Sequence, residues 1–380
     1  MDKKTMKDII QHKVEKIQPV IYGIAEYLHS HPEVGTEERM AADYLRHVLT
    51  TAGFSVTPLV PEKFPTAFHA VIGNGPFQMG FLAEYDALPE MGHACGHNLI
   101  AAMSVGAAIA FAAAAEENAT IHVYGCPAEE TAGSKVYMSE QHVFDMLDAA
   151  VIIHPSSETA IGGTSYATHP LQFTFTGKSA HVADPDYHGI NALDALVDFY
   201  SRLKKLDTTF TEPHIIGAII TEGGLVPNII PHRGVLKATI RALKTEYLEH
   251  TMLPQIRELA KQTAEEHGTA LEMVHYEPLC KDMINDPRMD VYFAENFNLL
   301  HEKFAVKDDT YASGSTDVGN VSYDTRVCQP EIEIGEDIAA HTLGFASAAG
   351  SVYGKMQALT GAKAMAMVAV DVLFEPEFQQ

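Results

Sequence analysis

The sequence predicts an α/β protein carrying a second, smaller α+β domain as an insert, and three observations support this. Short apolar strand-like runs alternate with helical stretches from Phe68 to Ile153, and three of those runs end in a carboxylate or an imidazole. Between about Pro170 and Tyr276 the order changes to β-α-β-β-α-β, which is that of a ferredoxin-like sandwich. After Asp282 the α/β pattern resumes. A chain of 380 residues exceeds what one hydrophobic core usually serves. The expected domains are therefore 1–167 with 279–380, and an insert at 168–278.

Taken in order, Val14–Leu28 and Glu37–Ala52 have apolar residues at helical spacing and read as two amphipathic helices. Phe68–Ile72 and Gln78–Ala83 read as strands around Gly73-Asn74-Gly75, consistent with a hairpin. Leu99–Ala115 carries no charge, but it is mostly alanine and falls short of the roughly 20 residues of a membrane span, so a buried helix is expected. Ile121–Cys126 and Ala149–Ile153 are two further buried strands. In the insert, Leu171–Thr176, His214–Thr221, Val235–Ala242 and Ala270–Tyr276 read as strands; Asn191–Leu206 and Thr245–His267 read as helices, the latter interrupted near Pro254. His214–Ile220 is long and apolar, and an edge of that kind is expected to pair with another subunit. Arg288–Phe304 is helical, Ser313–Asn320 is a loop of small and polar residues, Glu331–Ile334 is a strand, and Ser347–Leu373 is a long terminal helix.

The chemistry concentrates between Phe81 and Asn98. Glu84 and Asp86 follow an apolar strand, and Cys95 and His97 follow a proline turn with one glycine between them. A thiolate and an imidazole two positions apart can reach one ion, whereas a structural Cys or His needs no such partner. Pro127-Ala128-Glu129-Glu130 ends the next strand and His154 the one after. In open α/β sheets ligands bind at the carboxyl ends of strands, so Glu84, Asp86, Glu129, Glu130 and His154 are expected to converge on one edge.

Acidic residues outnumber basic ones 50 to 26, a formal charge of −24. That field repels phosphate backbones and anionic lipid, so neither nucleic acid nor a membrane is expected as a partner. Four widely spaced cysteines argue against a disulfide framework, and the first residues lead into no apolar signal region; a cytoplasmic setting is expected.

With Cys95-Gly96-His97, Glu129-Glu130, His154 and His341 in place, the chain resembles the two-metal aminoacylase and carboxypeptidase superfamily. Within it the amidohydrolase branch is the most similar, that of the indole-acetyl-amino-acid hydrolases and the p-aminobenzoyl-glutamate hydrolase group. Segments 84–98, 127–130, 177–181, 227–231 and 315–322 share its order and approximate spacing. The resemblance implies a metallopeptidase-type catalytic domain with a mixed sheet, and makes the insert a lid and dimerisation domain. It implies Cys95, His97, Glu130, His154 and His341 as ligands of two divalent ions, zinc or manganese foremost, with cobalt or nickel acceptable to the same donors. His93 is assigned to the loop structure instead. Glu129 is implied as general base and Asp86 as the partner that orients a ligand. Where many members of the superfamily have a histidine two positions before that aspartate, this chain has Glu84, which removes one expected ligand. In the insert, His181 is implied to polarise the scissile carbonyl in the active site of the partner subunit of a homodimer, and Asn228 and Arg241 to hold the polar end of a small substrate with a free carboxylate.

The implied reaction is hydrolysis of the amide bond of an N-acyl or N-acetyl amino acid by metal-activated water. The alternatives are a dipeptidase or aminobenzoyl-glutamate-like hydrolase with the same machinery, and a non-catalytic metal-bound subunit of an oligomer. A purely structural metal site needs no spare base, so Glu129 argues against the last. A Cys95 nucleophile paired with His97 is a weaker reading, because the two are too close in sequence for a usual thiol dyad.

Overall fold

The structure is a computed structural model describing residues 1–184, 188–312 and 314–378. The chain divides into two compact units. The first comprises Met1–Thr164, Met283–Tyr311 and the chain from Asp317; the second comprises Ser165–Asp282 with Ala312–Thr316.

The first unit is built on a mixed six-stranded sheet in the order Ser55–Pro58, Phe68–Gly73, Ala119–Cys126, Phe77–Glu84, Ala149–Val151, Val327–Cys328. Phe77–Glu84 lies in the middle, parallel to both neighbours, with Glu84 in register with Cys126. Its burial is nearly complete, as expected for a strand covered on both faces. A second sheet of four strands holds Ala305–Ala312, Ala160–Thr164, Glu331–Glu333 and His154–Ser156. Helices His97–Ala115 and Val352–Leu373 pack on each other; the first carries no Asp, Glu, Lys or Arg, and the second is mostly apolar with Lys355, Lys363 and Asp371 along it. Both are long and apolar enough to cross a membrane, yet 89% and 78% of their most apolar stretches are buried inside the unit. Small alanine side chains let such helices pack closely against a sheet from every side.

The hairpin expected from the Gly73-Asn74-Gly75 turn does not form. Phe68–Gly73 and Phe77–Glu84 lie on opposite sides of Ala119–Cys126, the first antiparallel to it and the second parallel. The glycines serve a close approach instead: a Cβ on Gly75 would lie 1.9 Å from the carbonyl carbon of Asn118. The parallel pairing then needs a crossover, which the helix His97–Ala115 supplies. Two helices expected as single pieces are also divided. The first helical region runs Lys3–Lys16 and Gln18–Ser30, restarting with Pro19 in the first turn. The last is cut at Gly350-Ser351, where Ser351 caps the new helix by accepting from Gly354 N.

The second unit has an antiparallel sheet in the order Ala270–His275, Ala167–Thr176, Arg233–Ala242, His214–Glu222. Helices Ala192–Asp207 and Leu253–Glu266 share its core, with Phe173 and Phe175 against Phe199 at ring distances of 4.7 and 5.6 Å. A π-helical turn, Leu248–Met252, precedes Pro254. The strand His214–Glu222 is an edge of this sheet, and Ile215, Ile219 and Ile220 along it are exposed.

Candidate metal centre

Cys95, His97, Glu129, Glu130, His154 and His341 all belong to the first unit. The strand Phe77–Glu84 delivers Glu84 and, two residues on, Asp86, both fully buried. The chain then turns through Leu88–Gly92 to Gly96, whose φ of +80° is open to glycine at little cost. A Cβ there would also lie 2.8 Å from Pro155 Cγ, so Gly96 is required twice over. Gly96 caps the helix that begins at His97 and separates that histidine from Cys95.

His97 Nδ1 donates to Asp86 Oδ1 at 2.9 Å, which leaves Nε2 with its lone pair buried and without a hydrogen-bond partner. The other oxygen of Asp86 accepts from the backbone N–H of Glu130 at 3.1 Å. One carboxylate thus fixes an imidazole and a glutamate together. His154 Nδ1 donates to the Pro155 carbonyl at 2.7 Å, and its Nε2 stands 3.5 Å from Cys95 Sγ. His341 is anchored by its backbone N–H to the Ala94 carbonyl, and its Nε2 lies 3.1 Å from Glu130 Oε1. Glu130 Oε1 is in turn 4.0 Å from His97 Nε2.

The five ligands expected from the sequence therefore fall together in two overlapping groups, Cys95–His97–His154 and Cys95–Glu130–His341; His97, Glu129 and Glu130 form a third. In each group the donor atoms lie within 4.8 Å of one another. His97 Nε2 is buried without a hydrogen-bond partner among the described residues, which is costly by itself, and imidazoles, a thiolate and a carboxylate together are the donor set of a divalent ion. Cys95 is common to both ligand groups, and the donors fit two ions. Burial pushes its thiol up, a cost that a bound cation offsets by stabilising the thiolate. His93 stands outside the groups, donating to the Leu28 carbonyl 3.1 Å away, and burial lowers it to about 3.

The turn that carries Glu129 and Glu130 rests on a residue that the sequence alone does not single out. Ala128 has φ +55°, and its N–H donates to Glu38 Oε1 at 2.7 Å. Thr66 Oγ1 donates to the other oxygen of Glu38 at 3.1 Å. Burial raises Glu38 to about 7. Nothing in the local sequence marks Glu38, because its partner is 90 positions away. Burial and the negative charges of Asp317, Glu84 and Glu130 hold the Glu129 carboxyl well above the usual range. Lys135 is likewise unmarked in the sequence: it is fully buried and makes ion pairs with Glu84 and Asp317.

Three expected residues lie in the second unit. His181 and Asn228 stand on neighbouring segments, joined by the bridge His181–Ile229 and by the Val182 N–H donating to the Asn228 carbonyl at 3.2 Å. Arg241 is eight residues into the strand that starts at Arg233, roughly 26 Å along it at the usual rise. In the ladder Arg241 stands opposite Thr168 on one side and Ile215 on the other. Ser313, in the loop of small and polar residues, lies outside the described residues.

Comparison with known proteins agrees with this geometry. Residues 80–294, more than half of the chain, match the family described as peptidase family M20/M25/M40. The chain is 33% identical to the Xaa-Arg dipeptidase of Mus musculus over 380 residues, covering 96% of this chain and 88% of the relative. It is 34% identical over 254 residues to a subunit of the p-aminobenzoyl-glutamate hydrolase of Escherichia coli (strain K12), covering 60% of this chain and 52% of that relative. A dinuclear metal binding peptidase of the M20 family from Bacillus subtilis shares the fold, with a TM-score of 0.71 at 18% identity over 94% of this chain and 99% of that one. Donors collected at the strand ends, spare lone pairs and a second glutamate beside them are what metal-dependent amide hydrolysis requires, and the chain belongs to peptidase family M20/M25/M40 as a hydrolase of that kind.

Proposed function

We propose that the chain hydrolyses the amide bond of a small substrate next to an amino-acid carboxylate, with Glu129 as general base. The observation that carries this is the pairing of Glu129 with Glu130 on one turn: Glu130 is drawn toward His97 and His341, while Glu129 shares the third group without an ion-pair partner among the described residues. Cys95, His97, Glu130, His154 and His341 would hold two divalent ions, which supply Lewis-acid polarisation of the carbonyl and a water of lowered pKa. Glu129 takes a proton from the attacking water on its carboxylate and returns it to the leaving amine nitrogen. Asp86 keeps His97 in the tautomer that frees Nε2 and keeps the Glu130 backbone beside it. Zinc and manganese suit this mixture of thiolate, imidazole and carboxylate, with cobalt or nickel as substitutes.

His181, Asn228 and Arg241 are proposed to bind the substrate, with the second unit as a lid that also pairs two copies through the edge His214–Glu222. Exposed isoleucines on that edge support pairing, and Ile219→Lys is expected to shift the oligomer toward monomer in light scattering. Cys95, Cys126 and Cys328 are free thiols, which suits a reducing compartment such as the cytoplasm.

Two substrate classes are in view, N-acyl amino acids and dipeptides. Identity of 33% along nearly the whole chain to a dipeptidase favours a dipeptide with a basic C-terminal residue as the first to try. The experiment is amine release from N-acetyl and longer N-acyl amino acids, Xaa-Arg and Xaa-Lys dipeptides and aminobenzoyl-glutamate, using metal-free protein reloaded with zinc or manganese and Glu129→Ala in parallel. Metal-dependent turnover that disappears in the variant supports the reading and ranks the substrates. Two bound ions with no turnover anywhere on the panel would favour a non-catalytic subunit.

A further inference from the structure

The turn that carries the proposed base is held at two points by two different carboxylates. The N–H of Ala128, just before Glu129, donates to Glu38 Oε1 at 2.7 Å, and the N–H of Glu130, just after it, donates to Asp86 Oδ2 at 3.1 Å. Glu129 is suspended between these anchors. The hold on Ala128 is the one its conformation needs: φ is +55°, a left-handed value that a residue with a Cβ keeps only where its surroundings dictate it. Glu38 itself is fully buried, and its carboxylate is met by neutral donors: Ala128 N–H, Thr66 Oγ1 at 3.1 Å, and the N–H groups of Thr36 and of Glu38 itself. A carboxylate buried among neutral donors is costly, so its place beside the turn calls for a use.

The segment around Glu38 is built against the same turn. A Cβ on Gly35 would lie 2.1 Å from Thr131 Oγ1 and 3.1 Å from Ala128 Cα, so the two backbones meet closely there. The Glu33 carbonyl accepts from the N–H of Ala87, one residue after Asp86, at 2.8 Å. Thr66, the other side-chain partner of Glu38, is fixed in turn: its carbonyl accepts from the Tyr85 hydroxyl at 2.8 Å and from Arg46 Nη2 at 3.1 Å. Residues 33–38 thus tie the loop after Asp86 to the turn after Ala128. We propose that Glu38 is a positioning residue for the general base: through the Ala128 N–H it sets where Glu129 points, while Asp86, through the Glu130 N–H, serves the metal side. Loss of Glu38 then displaces the base and spares the ions, whereas loss of Asp86 weakens the ions. A displacement of about 1 Å is enough to lower a rate about 100-fold. This rests on the reading of Glu129 as base given above.

The test compares wild type, Glu38→Met, Glu38→Gln and Glu33→Ala at pH 8, above the value of about 7 to which burial raises Glu38. Glu38→Met fills similar space without an acceptor. Glu38→Gln keeps an oxygen for Ala128, and the Thr66 hydroxyl can turn to accept from its amide. Glu33→Ala removes the acceptor of the Met40 and Ala41 N–H groups, at 3.1 and 2.9 Å, and so loosens the same segment without touching the turn. Two readouts need no turnover: hydrogen exchange over residues 127–132 by mass spectrometry, and calorimetric titration of metal-free protein with Mn²⁺. In Glu38→Met the turn is expected to exchange about 10-fold faster, with Mn²⁺ affinity unchanged. With the dipeptide alanyl-arginine as substrate, kcat is expected to fall about 10–100-fold in Glu38→Met at unchanged KM, and to recover most of that in Glu38→Gln. Glu33→Ala is expected to lower Tm and keep the wild-type kcat. Unchanged exchange in Glu38→Met overturns the proposal. So does a fall in its Mn²⁺ affinity as large as the fall in kcat, a Glu38→Gln variant no better than Glu38→Met, or an equal loss of kcat in Glu33→Ala. A wild type without turnover sinks the hydrolytic reading, while exchange and titration still decide whether Glu38 holds the turn apart from the ions.

Discussion

Two places in the first unit bury histidines, and they put the imidazole to opposite uses. On the sheet, His69 and His122 stack with Tyr124, and His69 Nε2 lies 2.9 Å from His122 Nδ1. His122 Nε2 lies 2.9 Å from Gln78 Oε1, an oxygen that can only accept, so this nitrogen carries the proton and His122 Nδ1 accepts from His69. Both nitrogens of His122 are consumed and the ring is locked neutral. At the strand ends, His97 spends one nitrogen on Asp86 and keeps the other free. Burial lowers His69 and His122 to about 4 and keeps both neutral, whereas at His97 the Asp86 acceptor fixes the tautomer that leaves Nε2 open to an ion. The partner, not burial, decides whether a histidine is a reagent or a core residue.

Metal sharpens the contrast most. Stripping divalent ions with a chelator is expected to abolish amide hydrolysis completely and reversibly, and to lower Tm, because ions that bind only the folded chain stabilise it. The acid sensitivity of the His69–His122 pair should be unchanged by the same treatment. A chelated protein that retains turnover would remove the metal-dependent reading altogether. Next in size is Glu129→Gln, which keeps the shape of the turn and removes the base. It is expected to lower kcat by about 10²–10⁴-fold with the metal count unchanged, a split that a mere folding defect would not give. Asp86→Asn comes third. It leaves one acceptor oxygen for two donors, so either His97 Nδ1 or Glu130 N faces an amide N–H instead, and metal affinity is expected to fall about 10–100-fold by titration.

What the sequence made legible follows from distance along the chain. Cys95 and His97 are visible because one glycine separates them, and Glu129, Glu130 and His154 because each ends a buried strand of a mixed α/β sheet. Parallel neighbours carry their carboxyl ends to the same edge, so sequence order alone brings these groups together. The strand pairing around Gly73–Gly75 departs from expectation because a glycine turn between two apolar runs signals a hairpin unless a later strand enters between them, and Ala119–Cys126 does. Glu38 and Lys135 carry no local signal. Each is recognisable only by burial against partners far along the chain, Ala128 for the first and Glu84 and Asp317 for the second. A charged residue in a helix looks like a solvated face until its surroundings are known.

The smallest expected effect tests the other half of the comparison. His69 and His122 titrate near the ordinary value of 6.5 in the unfolded chain and near 4 when folded. Between those values the unfolded state binds more protons, so stability is full above about pH 6.5 and declines as pH falls toward 4. The slope approaches about 1.4 kcal/mol per pH unit for each histidine at most. His122→Gln keeps a donor toward Gln78 and an acceptor toward His69 but cannot titrate, so denaturant unfolding at pH 7 and pH 5 should show a smaller acid loss in the variant, by about 1–2 kcal/mol across those two units. Metal affinity at pH 7 should stay as in wild type, since none of the ligands touches the stack. An acid loss of the same size in His122→Gln would mean that the pair is not kept neutral by its burial, and that the contrast with His97 lies in geometry alone.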